Sequence, residues 1–347
     1  MQPIIITSST PGPEVEGAIV THEVRVPGGG RLRKGRPIGC EDLELIPRLD
    51  RPVHAVRLEP GDIHEDDAAR WLARIVGGPH LQARDPVQSR VNIVATARGL
   101  LRVDAEAVGK LNALAPIGVF TMLDRVPVVP GKIVAGTKIA TVAVEQAILE
   151  EAEAFARDRP GPVLEVKPFL PHRAGVVVTE DLAGPLRDRF ERSVRQKMTW
   201  YGSEIVRFAY IQAESAIVAE TARALLDEGA DLILVAGGNM MDPLDPTLVA
   251  MPAIAAELTR LGAPAHPGSM FWMGEIPALG IPVVNLASCS MYSRSTVADL
   301  VLPWVMAGER VTAADIAALG YGGLLDRAMG WRFPDYETQA VDEPDEE

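Results

Sequence analysis

The sequence predicts an α/β protein: a three-layer α/β/α sandwich with a mostly parallel sheet, preceded by a smaller α+β, strand-rich N-terminal region. In residues 172–310, short apolar runs alternate with amphipathic helical patterns. The run Leu232–Ala236 is apolar throughout, which is typical of a strand buried on both faces. Successive parallel strands need a crossover, and the helical patterns supply one between the runs.

Two modules are predicted before this domain. Residues 1–60 mix alternating apolar and polar positions with a short helical segment, which indicates a small α+β module. Residues 61–158 contain strand patterns separated by Gly and Pro turns, together with helical patterns, which indicates a partly β module. Asp158 to Pro162, with the sequence DRPGP, is typical of a linker.

Four ionisable residues, His64 to Asp67, stand at the start of a helical pattern that runs to Val76. They could be metal ligands. However, Asp62 and Glu65 fit a capping box, and acidic residues in a first turn suit the helix dipole. We therefore favour helix capping over a metal site.

The elements of the C-terminal domain follow from apolar runs and from glycines that end helical patterns. The predicted strands are Ala174–Thr179, Glu204–Ile211, Leu232–Ala236 and Ile281–Ala287. The predicted helices are Leu186–Tyr201, Ser215–Glu228, Pro246–Gly262 and Ser293–Met306. Residues 311–334 are predicted to be a C-terminal extension with a helix at Thr312–Leu319, and residues 335–347 an acidic disordered tail.

Composition limits the partners and the compartment. The chain has 34 basic and 47 acidic residues, a net charge of −13, which argues against nucleic acid as a partner. No apolar stretch approaches the ~20 residues that cross a bilayer, so no membrane partner is expected. The two cysteines, Cys40 and Cys289, are far apart in sequence and indicate a reducing compartment. These observations predict a cytoplasmic protein.

A polar loop directly follows the buried strand Leu232–Ala236, with the sequence GGNMMDPLDPT. Gly237 and Gly238 would allow backbone amides to approach a ligand closely. Asn239, Asp242 and Asp245 add hydrogen-bonding and charged groups, and Asp245 is also the expected N-cap of the next helix. A glycine pair alone is more often only a turn.

Three polar loops are expected at one edge of the sheet, because ligands in such folds bind beyond the carboxyl ends of the strands. They contain Thr179, Glu180 and Asp181, then Gly237 to Asp245, then Ser288, Cys289 and Ser290. Neither a G-x-G-x-x-G fingerprint nor a P-loop is present. The convergence of three polar loops favours a binding site over a set of turns and caps.

The loop GGNMMDPLDPT resembles that of the molybdopterin-binding fold shared by molybdopterin adenylyltransferases and molybdopterin molybdotransferases. The segments VVVTEDLAGPLRDRF, LLDEGADLILVAGG and HPGSMFWMGE are similar to that fold's first strand and turn, its central helix and strand, and its Pro-Gly loop. The upstream segments RLRKGRPIGCEDLELI and AVRLEPGDIHEDDAARWLA resemble those that precede the fold in molybdotransferase-like proteins.

The resemblance implies a site for molybdopterin or molybdenum cofactor. It implies that Asp245 contributes to binding or to handling Mg²⁺. In the enzyme hypothesis, Asp242 joins Asp245 as a catalytic and Mg²⁺-binding residue. It implies that the cofactor-binding residues are Thr179, Glu180, Gly237, Gly238, Asn239, Pro267, Gly268, Ser288, Cys289 and Ser290. It also implies a homodimer and a molybdoenzyme client.

The sequence departs from the molybdotransferases at three motifs. The central loop has Met240 and Asp242 where the family has a serine and then a glycine. Residues 286–290 read Leu-Ala-Ser-Cys-Ser where the family has Leu-Pro-Gly-Asn-Pro, and the motif Asp-Asn-Ser-Ala-Met-Asp-Gly has no counterpart. Two function classes therefore stay open: an enzyme that inserts molybdate into adenylylated molybdopterin, and a noncatalytic carrier or sensor of molybdenum cofactor. A domain for another phosphorylated metabolite is a third hypothesis.

Overall fold

The computed structural model describes residues 1–286, 293 and 295–337, apart from the side chain of Arg327. The N-terminal region contains one short helix, a 3-10 helix and five strands: α1 (Gly12–Val15), Cys40–Arg48, β1 (Gln2–Ile6), β2 (Ile19–Val20), β3 (Val24–Arg25), β4 (Arg31–Leu32) and β5 (Val53–Arg57). The strands form an antiparallel sheet in the order β1-β5-β2 and a β3-β4 hairpin, which share one hydrophobic core.

The middle region contains three helices and nine strands: β6 (Asp62–His64), α2 (Glu65–Val76), β7 (Leu81–Ala83), β8 (Val91–Ala95), β9 (Gly99–Val103), α3 (Ala105–Asn112), β10 (Ile117–Thr121), β11 (Val126–Val128), β12 (Ile133–Ile139), β13 (Ala143–Glu145), α4 (Gln146–Arg157) and β14 (Leu164–Pro168). Its sheets have the orders β10-β12-β8-β7, β11-β9-β14 and β13-β6, and all their pairings are antiparallel.

The start of α2 differs from the predicted capping box. The helix begins at Glu65, so its N-cap is His64, whose Nδ1 accepts a hydrogen bond from the Asp66 N–H at 3.3 Å. Asp62 instead lies 2.7 Å from the amino group of Met1 and accepts the Glu59 N–H at 2.8 Å. The capping box is wrong because Asp62 belongs to β6 rather than to the turn before the helix.

The described residues of the C-terminal region form six strands, five helices and two 3-10 helices: β15 (Arg173–Val178), α5 (Pro185–Trp200), β16 (Glu204–Tyr210), α6 (Ser215–Asp227), β17 (Leu232–Ala236), α7 (Pro246–Val249), Met251–Ile254, β18 (Glu257–Leu261), β19 (Trp272–Ile276), β20 (Ile281–Leu286), α8 (Val297–Met306), α9 (Ala313–Ala318) and Arg327–Arg332. The strand order is β16-β15-β17-β20-β19-β18. Pairings from β16 to β20 are parallel, and those of β19 with β20 and with β18 are antiparallel.

The predicted fold class is wrong. The sheet expected to be mostly parallel is a mixed six-stranded sheet, and the other sheets of the described chain are small and antiparallel. One reason is the connection between β19 and β20, which consists only of residues 277–280. A parallel connection needs a dozen or more residues, so these two strands must form a hairpin.

The second reason why the sheet is mixed is the conformation of the chain after α7. The helix predicted to run from Pro246 to Gly262 ends at Val249, and a 3-10 turn follows until Ala255 adopts a left-handed conformation with φ 54°. The chain then continues as the edge strand β18, antiparallel to β19. Local helical periodicity was overridden here by pairing with β19.

Side chains on the two faces of this sheet pack in separate clusters. Val176 and Leu234 pack with residues of α5 and α8, whereas Val177 and Ile233 pack with residues of α6. Neighbouring residues of a strand point to opposite faces, which accounts for the fully apolar runs at β15 and β17. The polar residues that follow these strands are therefore held by a rigid frame. No helix among the described residues is long and apolar enough to cross a membrane.

Candidate functional site

The site is built where β15, β17 and β20 end side by side. Val178 pairs with Ala236, and Ala236 pairs with Leu286, so the three strands stop at the same level. The Thr179 N–H extends this ladder by donating to Ala236 O at 3.0 Å. The loops after β15 and β17 therefore start next to each other, as predicted.

Gly237 brings the first two loops into contact. Its φ is 108°, and a Cβ at this position would lie 2.5 Å from Thr179 Oγ1 and 2.9 Å from Glu180 Cγ. Both the backbone conformation and the space exclude a side chain here. The structure thus brings together Thr179, Glu180 and Gly237, three of the predicted cofactor-binding residues.

Gly238 brings the backbone equally close to Asp245. Its φ is 92°, and a Cβ would lie 2.9 Å from Thr247 Oγ1 and 3.1 Å from Asp245 Oδ1. The two glycines therefore pack against different partners: Gly237 against the loop after β15, and Gly238 against the start of α7.

Asp245 is buried, with 4% of its surface exposed. Its Oδ1 accepts hydrogen bonds from the Thr247 N–H at 2.9 Å and from the Thr247 hydroxyl, and its Oδ2 accepts the Asn239 N–H. This confirms Asp245 as the N-cap of α7. Its carboxylate ties both ends of the loop together.

Asp242, the other predicted metal ligand, has a different environment. It is exposed, and its Oδ1 accepts the Leu244 N–H at 2.9 Å. Its own N–H donates to Asn239 O at 2.8 Å, and its carbonyl accepts the Asp245 N–H at 3.0 Å. Asn239 in turn accepts the Met241 N–H on its side-chain oxygen at 3.2 Å. Asn239 and Asp242 thus form a compact turn.

Asp245 and Asp242 are the two carboxylates predicted to bind Mg²⁺. Three of the roughly four lone-pair sites of Asp245 accept hydrogen bonds within the loop, which leaves one on Oδ2. No group of three or more His, Cys, Asp or Glu residues able to hold a metal occurs in the described part of the chain. Mg²⁺ typically keeps several waters and uses one or two carboxylates plus ligand phosphates, so these residues fit an ion that binds together with a ligand.

Pro267 and Gly268 contact the start of α8. The His266–Pro267 peptide is cis, and Pro267 O accepts the Val297 N–H at 3.2 Å. Gly268 has a φ of 111°, and a Cβ there would lie 2.7 Å from Val297 N. The predicted Pro-Gly loop is therefore packed on the helix that follows β20 in the chain. Ser288, Cys289 and Ser290 lie outside the described residues.

Asn285 was missed by the sequence reasoning. It lies on β20 opposite Val235, is 2% exposed, and donates from Nδ2 to Gly237 O at 3.1 Å and to Val235 O at 3.4 Å. Its Oδ1 is buried and has no hydrogen-bond partner among the residues that the structure describes. The sequence feature that could have indicated this residue is an amide side chain in an otherwise apolar strand. A buried polar group normally needs a hydrogen-bond partner, so such an amide is expected to contact a neighbouring loop or strand.

A buried polar cluster on α5 and α8 was also missed. The Lys197 ammonium donates to Asp299 Oδ1 and, at 2.9 Å, to Ser293 O. Asp299 also accepts the Tyr336 hydroxyl at 3.1 Å, and Tyr336 lies 3.3 Å from the Tyr201 hydroxyl. Burial raises the pKa of both tyrosines well above the ordinary value. The sequence feature that could have indicated this cluster is the position of Lys197, which lies on the same face of α5 as the apolar residues Phe190 and Val194.

No protein-family model matches this chain, and no curated protein matches it. Two crystal structures of a NadC deletion mutant, in a cubic space group and in C2221, are 14% and 13% identical to it. The alignments cover 54% and 55% of this chain and 77% and 80% of the NadC chains, with TM-scores of 0.16 and 0.17. Scores this low carry no argument about fold or function.

Proposed function

We propose that this chain binds a molybdopterin-type ligand, either molybdopterin or molybdenum cofactor, at the carboxyl edge of the six-stranded sheet. The observation that supports this most directly is the double glycine turn, in which Gly237 packs on Thr179 and Glu180 while Gly238 packs on Asp245. The proposed role is in molybdenum cofactor biosynthesis.

The available groups suit the ligand's chemistry. An anionic pterin with a terminal phosphate needs N–H donors for the phosphate and oxygen acceptors for the N–H edge of the pterin. Gly238, which is exposed, offers a backbone amide at the edge of the sheet, and the half-buried Glu180 supplies a carboxylate next to Gly237.

In its catalytic form, the proposal is insertion of molybdate into adenylylated molybdopterin, with release of AMP. Asp242 and the remaining lone pair of Asp245 Oδ2 would hold Mg²⁺, which would neutralise phosphate charge on the bound ligand.

The second candidate is a noncatalytic carrier or sensor that serves a molybdoenzyme. The specific observation in its favour is that the Asp245 carboxylate accepts three hydrogen bonds from its own loop. A carboxylate that makes these hydrogen bonds stabilises the loop. This structural role is compatible with a protein that binds the cofactor and does not catalyse a reaction. Both candidates include the homodimer that the family resemblance implies.

One experiment separates these candidates. The full chain is mixed with adenylylated molybdopterin, Mg²⁺ and molybdate, then passed through a desalting column, and both AMP and the pterin retained by the protein are measured. We expect pterin to be retained. AMP release identifies the transferase, and retention of pterin without AMP identifies the carrier. A protein fraction free of pterin, with no AMP released, refutes the proposal. Light scattering of the same sample measures whether the chain is a dimer.

A further inference from the structure

A second concave site lies in the middle region. A cavity of about 890 Å³ that opens to solvent is lined by α2, by the β7-β8 pair and by the turn at Pro130 and Gly131. This volume is within the range of about 300–1,000 Å³ that is usual for small-molecule sites. Its lining comes from residues 70–131, so it shares no residue with the site proposed for molybdopterin.

The cavity is positively charged in an acidic protein. Arg70, Arg74 and Arg84 line it, against one acidic residue, Asp85. A smaller cavity of about 590 Å³ also has three arginines, but Glu41 and Asp42 oppose them. With a net charge of −13 on the whole chain, a local excess of arginine is not a consequence of composition.

Two of these arginines have no neutralising partner within the described residues. Arg70 pairs with Asp67 at 2.9 Å on the exposed surface of α2. The guanidinium groups of Arg74 and Arg84 are exposed and form neither an ion pair nor a hydrogen bond in the part of the chain that the structure describes. Arg70 and Arg74 are four residues apart on α2 and therefore face the same side.

The opposite wall of the cavity is rigid and largely apolar. Val94 and Ala95 are 5% and 1% exposed and belong to β8, whose partner β7 carries Gln82 opposite Val94. The Thr96 N–H donates to His80 O at 2.9 Å, which holds the end of this strand in place. The cavity therefore combines a rigid apolar wall, formed by β8, with the guanidinium groups of long arginine side chains.

We propose that this cavity binds a small phosphorylated molecule with at least two negative charges, which Arg74 and Arg84 hold from opposite sides. Guanidinium groups match the geometry of phosphate oxygens and bind them in a bidentate manner. The acidity of the whole chain repels long polyanions such as nucleic acid, so the ligand is a small molecule that fits inside the cavity.

Isothermal titration of the full chain with pyrophosphate and with tripolyphosphate tests this inference. We expect saturable binding that is tighter for tripolyphosphate and that weakens as salt is added, because the cavity is open to solvent. The double variant Arg74→Gln/Arg84→Gln should lose at least about tenfold in affinity, since each charge-assisted hydrogen bond contributes that much. Both residues are exposed, so the variant should fold normally.

The matched control is Arg33→Gln/Arg36→Gln, which removes the same charge from the cavity that Glu41 and Asp42 oppose. Its affinity should equal that of the unaltered chain. An equal loss of affinity in both double variants would show that only the net charge of the chain matters, and it would overturn the inference. The absence of saturable binding below about 1 mM would overturn it as well. A Gly238→Ala variant should bind polyphosphate normally, so this result is independent of the molybdopterin proposal.

Discussion

Lys197 and Asp299 form an ion pair in the core, with 1% and 0% of their side chains exposed. Burial of two charges is costly, and here the cost is offset by the additional hydrogen bonds from Thr296 and Tyr336 to Asp299 and from Lys197 to Ser293 O. The pair joins α5 to the start of α8.

We predict that Lys197→Met lowers the free energy of unfolding by about 3–5 kcal/mol, because it leaves the Asp299 carboxylate buried without a cation. Urea unfolding measures this loss. The control is Lys110→Met, which removes a lysine from an exposed pair with Glu106 and should cost less than about 0.5 kcal/mol. A loss as small as that of the control would show that the core pair does not hold the two helices together.

Asp245 and Asp242 should differ in their effect on stability. Asp245→Ala removes the N-cap of α7 and three hydrogen bonds, so we expect a loss of about 1–2 kcal/mol. Asp242→Ala changes an exposed residue with one turn hydrogen bond and should stay within about 0.5 kcal/mol. Chemical denaturation of both variants checks this, and equal losses would contradict the different environments of the two carboxylates.

Gly238→Ala tests the close approach of the loop backbone to Asp245. A Cβ there meets Thr247 Oγ1 at 2.9 Å, so the loop must shift and pterin binding should be lost. The matched control is Gly61→Ala, because Gly61 has a φ of 95° with nothing within 4 Å of the added Cβ. Both variants suffer backbone strain of about 1–3 kcal/mol, whereas only Gly238→Ala adds a steric clash. Pterin retention that survives in Gly238→Ala would argue against this loop as the binding site.

Stability should fall in alkaline solution because of Tyr201 and Tyr336, whose pKa values burial raises well above the ordinary value. In the unfolded chain tyrosine ionises near pH 10, so above that pH the unfolded state binds fewer protons than the folded state. The protein's free energy of unfolding therefore decreases as the pH rises above about 10, by up to about 1.4 kcal/mol per pH unit for each tyrosine.

Urea unfolding between about pH 9 and about pH 11 measures this slope. Tyr336→Phe should flatten it, since one of the two buried hydroxyls is removed. Tyr321→Phe is the control, because Tyr321 is 99% exposed. A slope that is the same in both variants would place the alkaline transition elsewhere in the molecule.

Local patterns predicted many elements well. The strand Leu232–Ala236 has the predicted bounds, and the helix predicted at Ser215–Glu228 is observed at Ser215–Asp227. Here the apolar run, the helical period and the closing glycine agree with one another. The contact of Thr179 and Glu180 with Gly237 was also predictable, because parallel strands end at a common edge.

Pairing partners were not predictable in the same way. Residues Glu257–Leu261 have a helical pattern, yet they form an edge strand because β19 offers unpaired backbone groups to them. The fold class was wrong for this reason and because the short loop before β20 forces a hairpin.

The amino-acid sequence by itself determined the short-range features: the buried strand before the loop, the glycine turn that ends it and the cap at Asp245. Only the tertiary structure decided the mixed strand order, the burial of Lys197 against Asp299 and the position of Asn285 beside Gly237. The physical reason is that hydrogen-bond capping and backbone sterics act over a few residues, whereas strand pairing and charge burial depend on segments distant in the chain.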